Sequence, residues 1–287
     1  MVKILYRLRL LKYLNLVCQI NLNNVKFKIP IIGEVGYSNL HISEPWMIAV
    51  LKIITPKKNN LFIDVGTNIG QTLLKLKSVS SDINYIGFEP NPSCVFYMEK
   101  LIELNQFKNV DLYPIGISTE TAVATLNKYS LSNFDASASI IKEFRPNQKI
   151  VKKINIPLFD FKKLNLDKIS ISILKIDVEG AELEVIHSFK EKIKNDKPII
   201  LIEILPTYSQ DNFFRIERQN QILDLLNETG YNLYQIVKEN ESLHGFKNIR
   251  KIEIHSDLNM CEYIFIHNED KIPFENSVKS NSFKIIN

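Results

Sequence analysis

No stretch of the 287-residue chain approaches 18 consecutive apolar residues, so no membrane-spanning helix is expected. The leucine-rich, basic N-terminus comes nearest, but Arg7, Arg9 and Lys12 break what would be the core of a signal peptide. On a helical wheel these cations do not gather on one side. A helix packed on the protein is therefore preferred, with peripheral membrane contact as the alternative. Cysteine is scarce: Cys18, Cys94 and Cys261 are an odd, scattered set with neither metal spacing nor a disulfide framework. That usage fits a reducing cytoplasm, where the protein is expected. Cys94 reads as a helix residue and Cys261 as a strand residue, both small core side chains. The five histidines form no motif, and no internal repeat is evident. A strong charge is also missing. The net charge is +4 and lysines alternate with acids, so no nucleic-acid partner is implied. Lys149, Lys152 and Lys153 read as a solvated strand edge.

Charged residues at 24% and hydrophobic residues at 45% are globular values, and the length suffices for one large domain with extensions. The most informative stretch is Leu61-Phe-Ile-Asp-Val-Gly-Thr-Asn-Ile-Gly70. An apolar strand ends in Asp64, a glycine turn follows, and a helix begins near Gln71. This is how an open α/β sheet makes a nucleotide pocket. Residues 85–91, Tyr-Ile-Gly-Phe-Glu-Pro-Asn, read as a second strand ending in Glu89, a carboxylate placed to accept ribose hydroxyls. The G-x-G-x-x-G of a dinucleotide site is absent, because Asn68 stands where its second glycine should be. Asp64 beside the turn repels pyrophosphate and suits a sulfonium or an ammonium. S-adenosylmethionine is thus favoured over NAD.

Residues 171–182, Ile-Ser-Ile-Leu-Lys-Ile-Asp-Val-Glu-Gly-Ala-Glu, supply a third block. A buried-strand run ends in Lys175, Asp177 and Glu179 before Gly180 and a helix. Charges at the carboxyl end of a central strand lie where such sheets bind ligands. Glu182 reads instead as a first-turn acid favoured by the helix dipole. Asp64-Val-Gly-Thr-Asn-Ile-Gly70, Phe88-Glu-Pro-Asn-Pro92 and Lys175-Ile-Asp-Val-Glu-Gly-Ala-Glu182 together resemble, in order and spacing, the signature blocks of the FkbM-type methyltransferases. Weaker matches are Tyr113–Ser118, Ala136–Ile140 and Leu201–Ile204. The resemblance covers roughly residues 44–205. Thr67, where the family usually has alanine, is a small departure.

The resemblance implies a Rossmann-like class I methyltransferase fold: α/β, with a mainly parallel seven-stranded sheet and a final antiparallel strand. The expected division is an extension over 1–60 packing on the core, a methyltransferase domain over 61–270, and a loose tail over 271–287. Short strands or a hairpin are expected over 25–40, with turns near Gly33 and Gly36. Helices are expected at 44–54, 69–78, 92–104, 180–193 and 215–229. Pro56 and Asn59-Asn60 lead into the core. Core strands are expected at 61–65, 84–89, 109–114, 171–177, 198–204, 231–238 and 261–267, with short β pieces over 120–160.

The expected cofactor is S-adenosylmethionine. Asp64 would anchor the turn and face the methionine ammonium. Gly66, Thr67, Asn68 and Gly70 would shape the wall, Glu89 would hold the ribose, and Asn91, Gly116 and Ile117 would lie around the adenosine. An alcohol acceptor needs a base. Asp177 is the first candidate and Glu203, at the end of the next strand, the second. Lys175 shares a sheet face with Asp177 and either steers substrate or keeps Asp177 charged. A purely structural network of Lys175, Asp177 and Glu203 is the bland alternative. Asp177, Glu179 and Glu203 offer hard oxygens for Mg²⁺, but a metal-free site is preferred. Trp46 and Tyr37 read as packing residues or a substrate lid, and His244 and His255 as late-loop residues within reach of substrate. The resemblance implies a hydroxyl acceptor on a small molecule or glycan, a sugar of a surface polysaccharide being preferred. The rivals are an NAD(P)-dependent oxidoreductase and a non-catalytic scaffold on the same fold. Oligomeric state is not legible.

Overall fold

Strands buried on both faces carry apolar side chains at successive positions, and here alternate residues feed two separate cores. Phe62, Tyr85, Ile173 and Leu201 point to one face, and Ile63, Ile86, Leu174 and Ile200 to the other. The computed structural model describes residues 2–41, 43–55, 61–142, 144–145, 147–166 and 168–286. In chain order these form α1 (Val2–Arg7), β1 (Asn15–Leu22), β2 (Val25–Ile32), α2 (Pro45–Ile54), β3 (Leu61–Val65), α3 (Gln71–Val79), β4 (Asn84–Phe88), α4 (Pro92–Asn105) and β5 (Val110–Tyr113). Then come β6 (Gly116–Ile117), β7 (Ala122–Lys128), β8 (Lys152–Phe159), β9 (Ile173–Ile176), α5 (Glu182–Asp196), β10 (Ile199–Glu203) and α6 (Phe213–Glu228). The last elements are β11 (Tyr231–Glu239), β12 (Ser242–Ile249), β13 (Glu262–His267), α7 (Lys271–Ser280) and β14 (Lys284–Ile286).

The main sheet has the order β14-β12-β11-β13-β10-β9-β3-β4-β5. Strands β5, β4, β3, β9 and β10 are parallel, and β13 inserts antiparallel between β10 and β11. This is the closing strand the sequence implied. Two further strands extend the expected seven to nine. β12 escaped notice because His244, Gly245 and Lys247 interrupt its apolar alternation. The tail is not loose: Phe274 and Val278 bury α7 in the first core, and β14 pairs with β12. Pro273 disguised α7 in the sequence, yet at its third position the missing N–H interrupts no helical ladder.

The N-terminal hairpin also differs from expectation. β1 and β2 pair antiparallel around Asn23-Asn24, whose φ values of 49° and 66° are left-handed, so the turn precedes Gly33 and Gly36. Asparagine tolerates that region better than other side chains, so the pair suits a two-residue turn. α1 is a short packing helix: none of its six residues is fully buried, but Val2 and Leu5 pack against the first core. The 120–160 insertion is a separate small sheet of order β6-β8-β7, with Lys152 and Lys153 exposed on β8 as anticipated. The Pro56 and Asn59-Asn60 signals lie outside the described residues.

The chain runs β3 to β4 to β5 outward, then returns to lay β9 on the other side of β3. The carboxyl ends of β3 and β9 therefore flank the point where strand order reverses. That is where open α/β sheets bind ligands.

Candidate active site

The turn after β3 is built by close backbone contact. Gly66 has φ 91°, and a Cβ there would lie 1.8 Å from the Asp177 carbonyl oxygen. Only glycine lets the two strand ends meet this closely. Asn68 follows with φ 46°, and its N–H donates to Glu89 Oε2 at 2.7 Å. The Asn91 N–H donates to Glu89 Oε1 at 2.8 Å. Glu89 is thus held by one backbone donor on each oxygen, with further lone pairs free for a ligand. Burial pushes its carboxyl up to about 7, against the pull of those two donors.

These residues line a cavity of about 670 Å³, within the size range of small-molecule sites. Of the expected residues, Gly66, Thr67, Asn68, Glu89, Asn91, Gly116, Ile117, Lys175, Asp177 and Glu203 line it; Asp64 and Gly70 do not. Asp64 is fully buried beneath the turn. It accepts from the Tyr85 hydroxyl at 2.8 Å and from Lys175 Nζ at 3.2 Å. Its partners come from within the sheet, so it braces the turn and does not face the cavity. Gly70 shapes packing, since a Cβ there would meet Met98 Sδ at 2.3 Å. The Asn91 side chain is also committed: its oxygen caps α4 through the Ser93 N–H, and its amide donates to the Asn133 carbonyl at 2.9 Å. Among the described residues Thr67 Oγ1 is buried at the cavity wall without a hydrogen-bond partner, a polar atom suited to a ligand.

Lys175 bridges Asp64 at 3.2 Å and Asp177 at 3.3 Å. Burial works against its charge, but the two aspartates prevail and raise its pKa. Its ammonium is thus shared between Asp64 and Asp177 at the cavity wall. Glu203 lies beside Asp177, with an oxygen of each within 4.8 Å of the other. Burial first, then the charges of Asp177 and Glu179, push the Glu203 carboxyl up to about 10. Glu179 joins them because its φ of 54° turns the chain back toward the cavity. Oxygens of Asp177, Glu179 and Glu203 all lie within 4.8 Å of one another. Burial, and then Asp177, push Glu179 up to about 7, while Arg145 at 2.5 Å opposes the rise. Glu182 caps the start of α5, accepting the Gly180 N–H at 2.8 Å.

Several residues around the cavity gave no local sequence signal. Arg145 reaches Glu179 because Phe144 packs over Gly180 and beneath the Arg215 guanidinium, 4.0 Å from its ring. Ser139, within a weakly matching block, donates to the Glu179 carbonyl at 2.6 Å. Glu44 enters the rim with φ 50° and pairs with Lys75 at 2.7 Å. Trp46 is buried, with Lys238 Nζ 5.2 Å from its ring centroid, and Tyr37 stacks on Tyr6; neither lines the main cavity. Of the late-loop histidines, His244 pairs with Glu239 and His255 lies near the Tyr263 hydroxyl, and neither lines the cavity.

A crevice at the reversal point of a mainly parallel sheet, closed by an inserted antiparallel strand, is the Rossmann-like fold of the class I methyltransferases. The chain belongs to the FkbM methyltransferase family: the Methyltransferase FkbM domain matches residues 64–233, more than half its length. It is 24% identical over 153 residues to "Methyltransferase 1" of Beauveria bassiana (strain ARSEF 2860), covering 47% of this chain and 60% of that protein. The chain thus spans less than two thirds of that relative. Among solved structures it is similar to an FkbM methyltransferase of Methylobacillus flagellatus KT (15% identity, 72% of this chain, 43% of that chain, TM-score 0.43). Another is a precorrin-6y C5,15-methyltransferase of Geobacter metallireducens GS-15 (13% identity, 77% of this chain, 86% of that chain, TM-score 0.38).

Proposed function

We propose that the protein is an O-methyltransferase that transfers the methyl of S-adenosylmethionine to a hydroxyl of a small molecule or glycan, with a sugar of a surface polysaccharide as the acceptor. The observation that carries this reading is the position of Asp177 and Glu203. Both residues line the same cavity as the Gly66 turn and Glu89. The cofactor supplies an activated methyl carbon, which leaves the protein to bind, orient and take a proton. Glu89 receives the ribose hydroxyls on its free lone pairs. Asn68 and Thr67 face the amino-acid end. Asp177, held by Lys175, takes the proton of the acceptor hydroxyl as its oxygen attacks. Glu203, pushed up to about 10, keeps its proton at neutral pH and donates it in a hydrogen bond to Asp177. Ser38, Ser43, Ser130 and Ser132 line the same cavity and suit a polyhydroxylated acceptor.

The three converging carboxyls favour a second reading, a divalent cation held by oxygen ligands. We prefer the metal-free site. Lys175 already bridges Asp64 and Asp177, and Arg145 pairs with Glu179, so three of the nearby carboxyls have a cation of the chain beside them.

Isothermal titration tests the cofactor. S-adenosylhomocysteine should bind and NADH should not; the reverse result would establish the oxidoreductase rival. Glu89 gives a sharper check. Its bonds to ribose are charge-assisted, about 1.5–3 kcal/mol, so Glu89→Ala should weaken S-adenosylhomocysteine binding roughly ten- to a hundredfold. Ribose hydroxyls favour the carboxylate over the acid. The group titrates near 7 without ligand, so affinity should rise with pH through that value. A flat pH profile, or unchanged affinity in Glu89→Ala, would remove Glu89 from the site.

A further inference from the structure

The chain's positive charge is concentrated in one place. Residues 1–33 hold six of its 36 cations and none of its 32 acids. In the remainder, 30 cations are outnumbered by 32 acids, so the whole positive excess lies in this segment. All six cations, Lys3, Arg7, Arg9, Lys12, Lys26 and Lys28, are exposed. Among the described residues none of them forms an ion pair. On the outward face of the hairpin, Lys26 and Lys28 stand opposite Asn21 and Gln19.

Large apolar side chains are exposed among them. Ile4 is 61% exposed, Leu8 62%, Tyr13 73% and Val17 60%. They remain in solvent although the hairpin buries its other face: Phe27, Ile29 and Ile31 belong to the first core. Isolated exposed apolar residues are ordinary, but a run of them interleaved with unopposed cations marks an interaction surface. Nucleic acid would satisfy the cations and leave the aliphatic side chains in water. An anionic bilayer satisfies both, through lipid phosphates and the acyl boundary.

We propose that α1, the turn after it and the outward face of the β1–β2 hairpin form a peripheral docking surface for anionic membranes. The surface connects to the cavity rim: the Tyr6 ring stacks on Tyr37 at 3.9 Å, and the next residue, Ser38, lines the cavity. Docking therefore holds the cavity mouth near the lipid surface. The inference does not depend on which hydroxyl accepts the methyl group.

Flotation of the full chain with vesicles tests it, using phosphatidylcholine alone or with phosphatidylglycerol. The protein should float with the anionic vesicles, and 0.5 M salt should release it. A cation beside an anionic leaflet contributes roughly a fivefold factor, so neutralising Arg7, Arg9 and Lys12 together to glutamine should lower partitioning about a hundredfold. Ile4→Ser with Leu8→Ser should weaken partitioning with the charge intact. Thermal melts and S-adenosylhomocysteine affinity should stay at wild-type values, showing that the variants fold. Three outcomes would overturn the proposal: no flotation with anionic vesicles, equal flotation of the glutamine variant, or tighter binding to a short RNA. Self-association that Ile4→Ser and Leu8→Ser abolish, without any flotation, would assign the face to a second copy of the chain.

Discussion

Asp177→Asn should lower methyl transfer about 10²–10⁴-fold while leaving S-adenosylhomocysteine affinity near wild type. The amide preserves shape but cannot accept the acceptor's proton, and the hydrogen bonds that hold Glu89 come from Asn68 and Asn91. The acceptor need not be identified beforehand. Glycans from cells lacking the protein can be compared by mass spectrometry with those from complemented cells. A difference of one methylene unit identifies the modified sugar. The wild type should restore it and Asp177→Asn should not. The unmethylated glycan then serves as substrate in vitro with labelled S-adenosylmethionine. Activity should survive a chelator. Loss on chelation with recovery on added Mg²⁺ would move Asp177, Glu179 and Glu203 to the cation-binding reading. Full activity of Asp177→Asn under chelation would leave these side chains as strand-end ions only.

Lys175→Met should produce the largest loss of stability. Lys175 and Asp64 are both buried, and removing the ammonium leaves a buried carboxyl whose one remaining side-chain hydrogen bond among the described residues is from the Tyr85 hydroxyl. Breaking such a pair costs about 3–5 kcal/mol, enough to lower Tm by roughly 10 °C in a chain of this size. The loss should depend on pH. Burial raises the Asp64 carboxyl even with Lys175 present, and removing the ammonium raises it further. The folded variant then binds a proton that the unfolded chain has released, so its stability falls as pH rises above the ordinary aspartate range. Melts at pH 5 and pH 8 should show a larger deficit at pH 8. Equal Tm values for variant and wild type would mean that the pair contributes nothing.

The elements that position the site were legible because they are strongly patterned. β3, β4, β9 and β10 are short apolar runs ending in an acid or a glycine turn, and their helices begin at proline, glycine or acidic positions. Asp177 and Glu203 stood out because the period of a strand puts them at its carboxyl end. What was missed depends on contacts distant in sequence. Nothing local to Asp64 says that Lys175 and Tyr85 will consume its oxygens, and nothing near Asn91 says that the insertion will take its amide. Arg145 enters the site only because Phe144 finds Gly180 and Arg215. The hairpin turn at Asn23-Asn24 was visible in principle, but Gly33 and Gly36 offered a stronger punctuation signal nearby.

The pairing of Asp64 with Lys175 spans 111 residues, and β9 is the strand that both of them need. During synthesis β3, β4 and β5 emerge first, with the Gly66 turn attached but no Asp177 carbonyl beneath it. At about 5–20 residues per second, roughly 5–20 s pass before β9 leaves the ribosome. For that interval the inner edge of β3 is an open template for any strand, and the nascent chain has half a pocket. The cofactor site is therefore completed in a single late event, when β9 docks against β3. A ligand that binds only the finished pocket can stabilise that event and nothing before it.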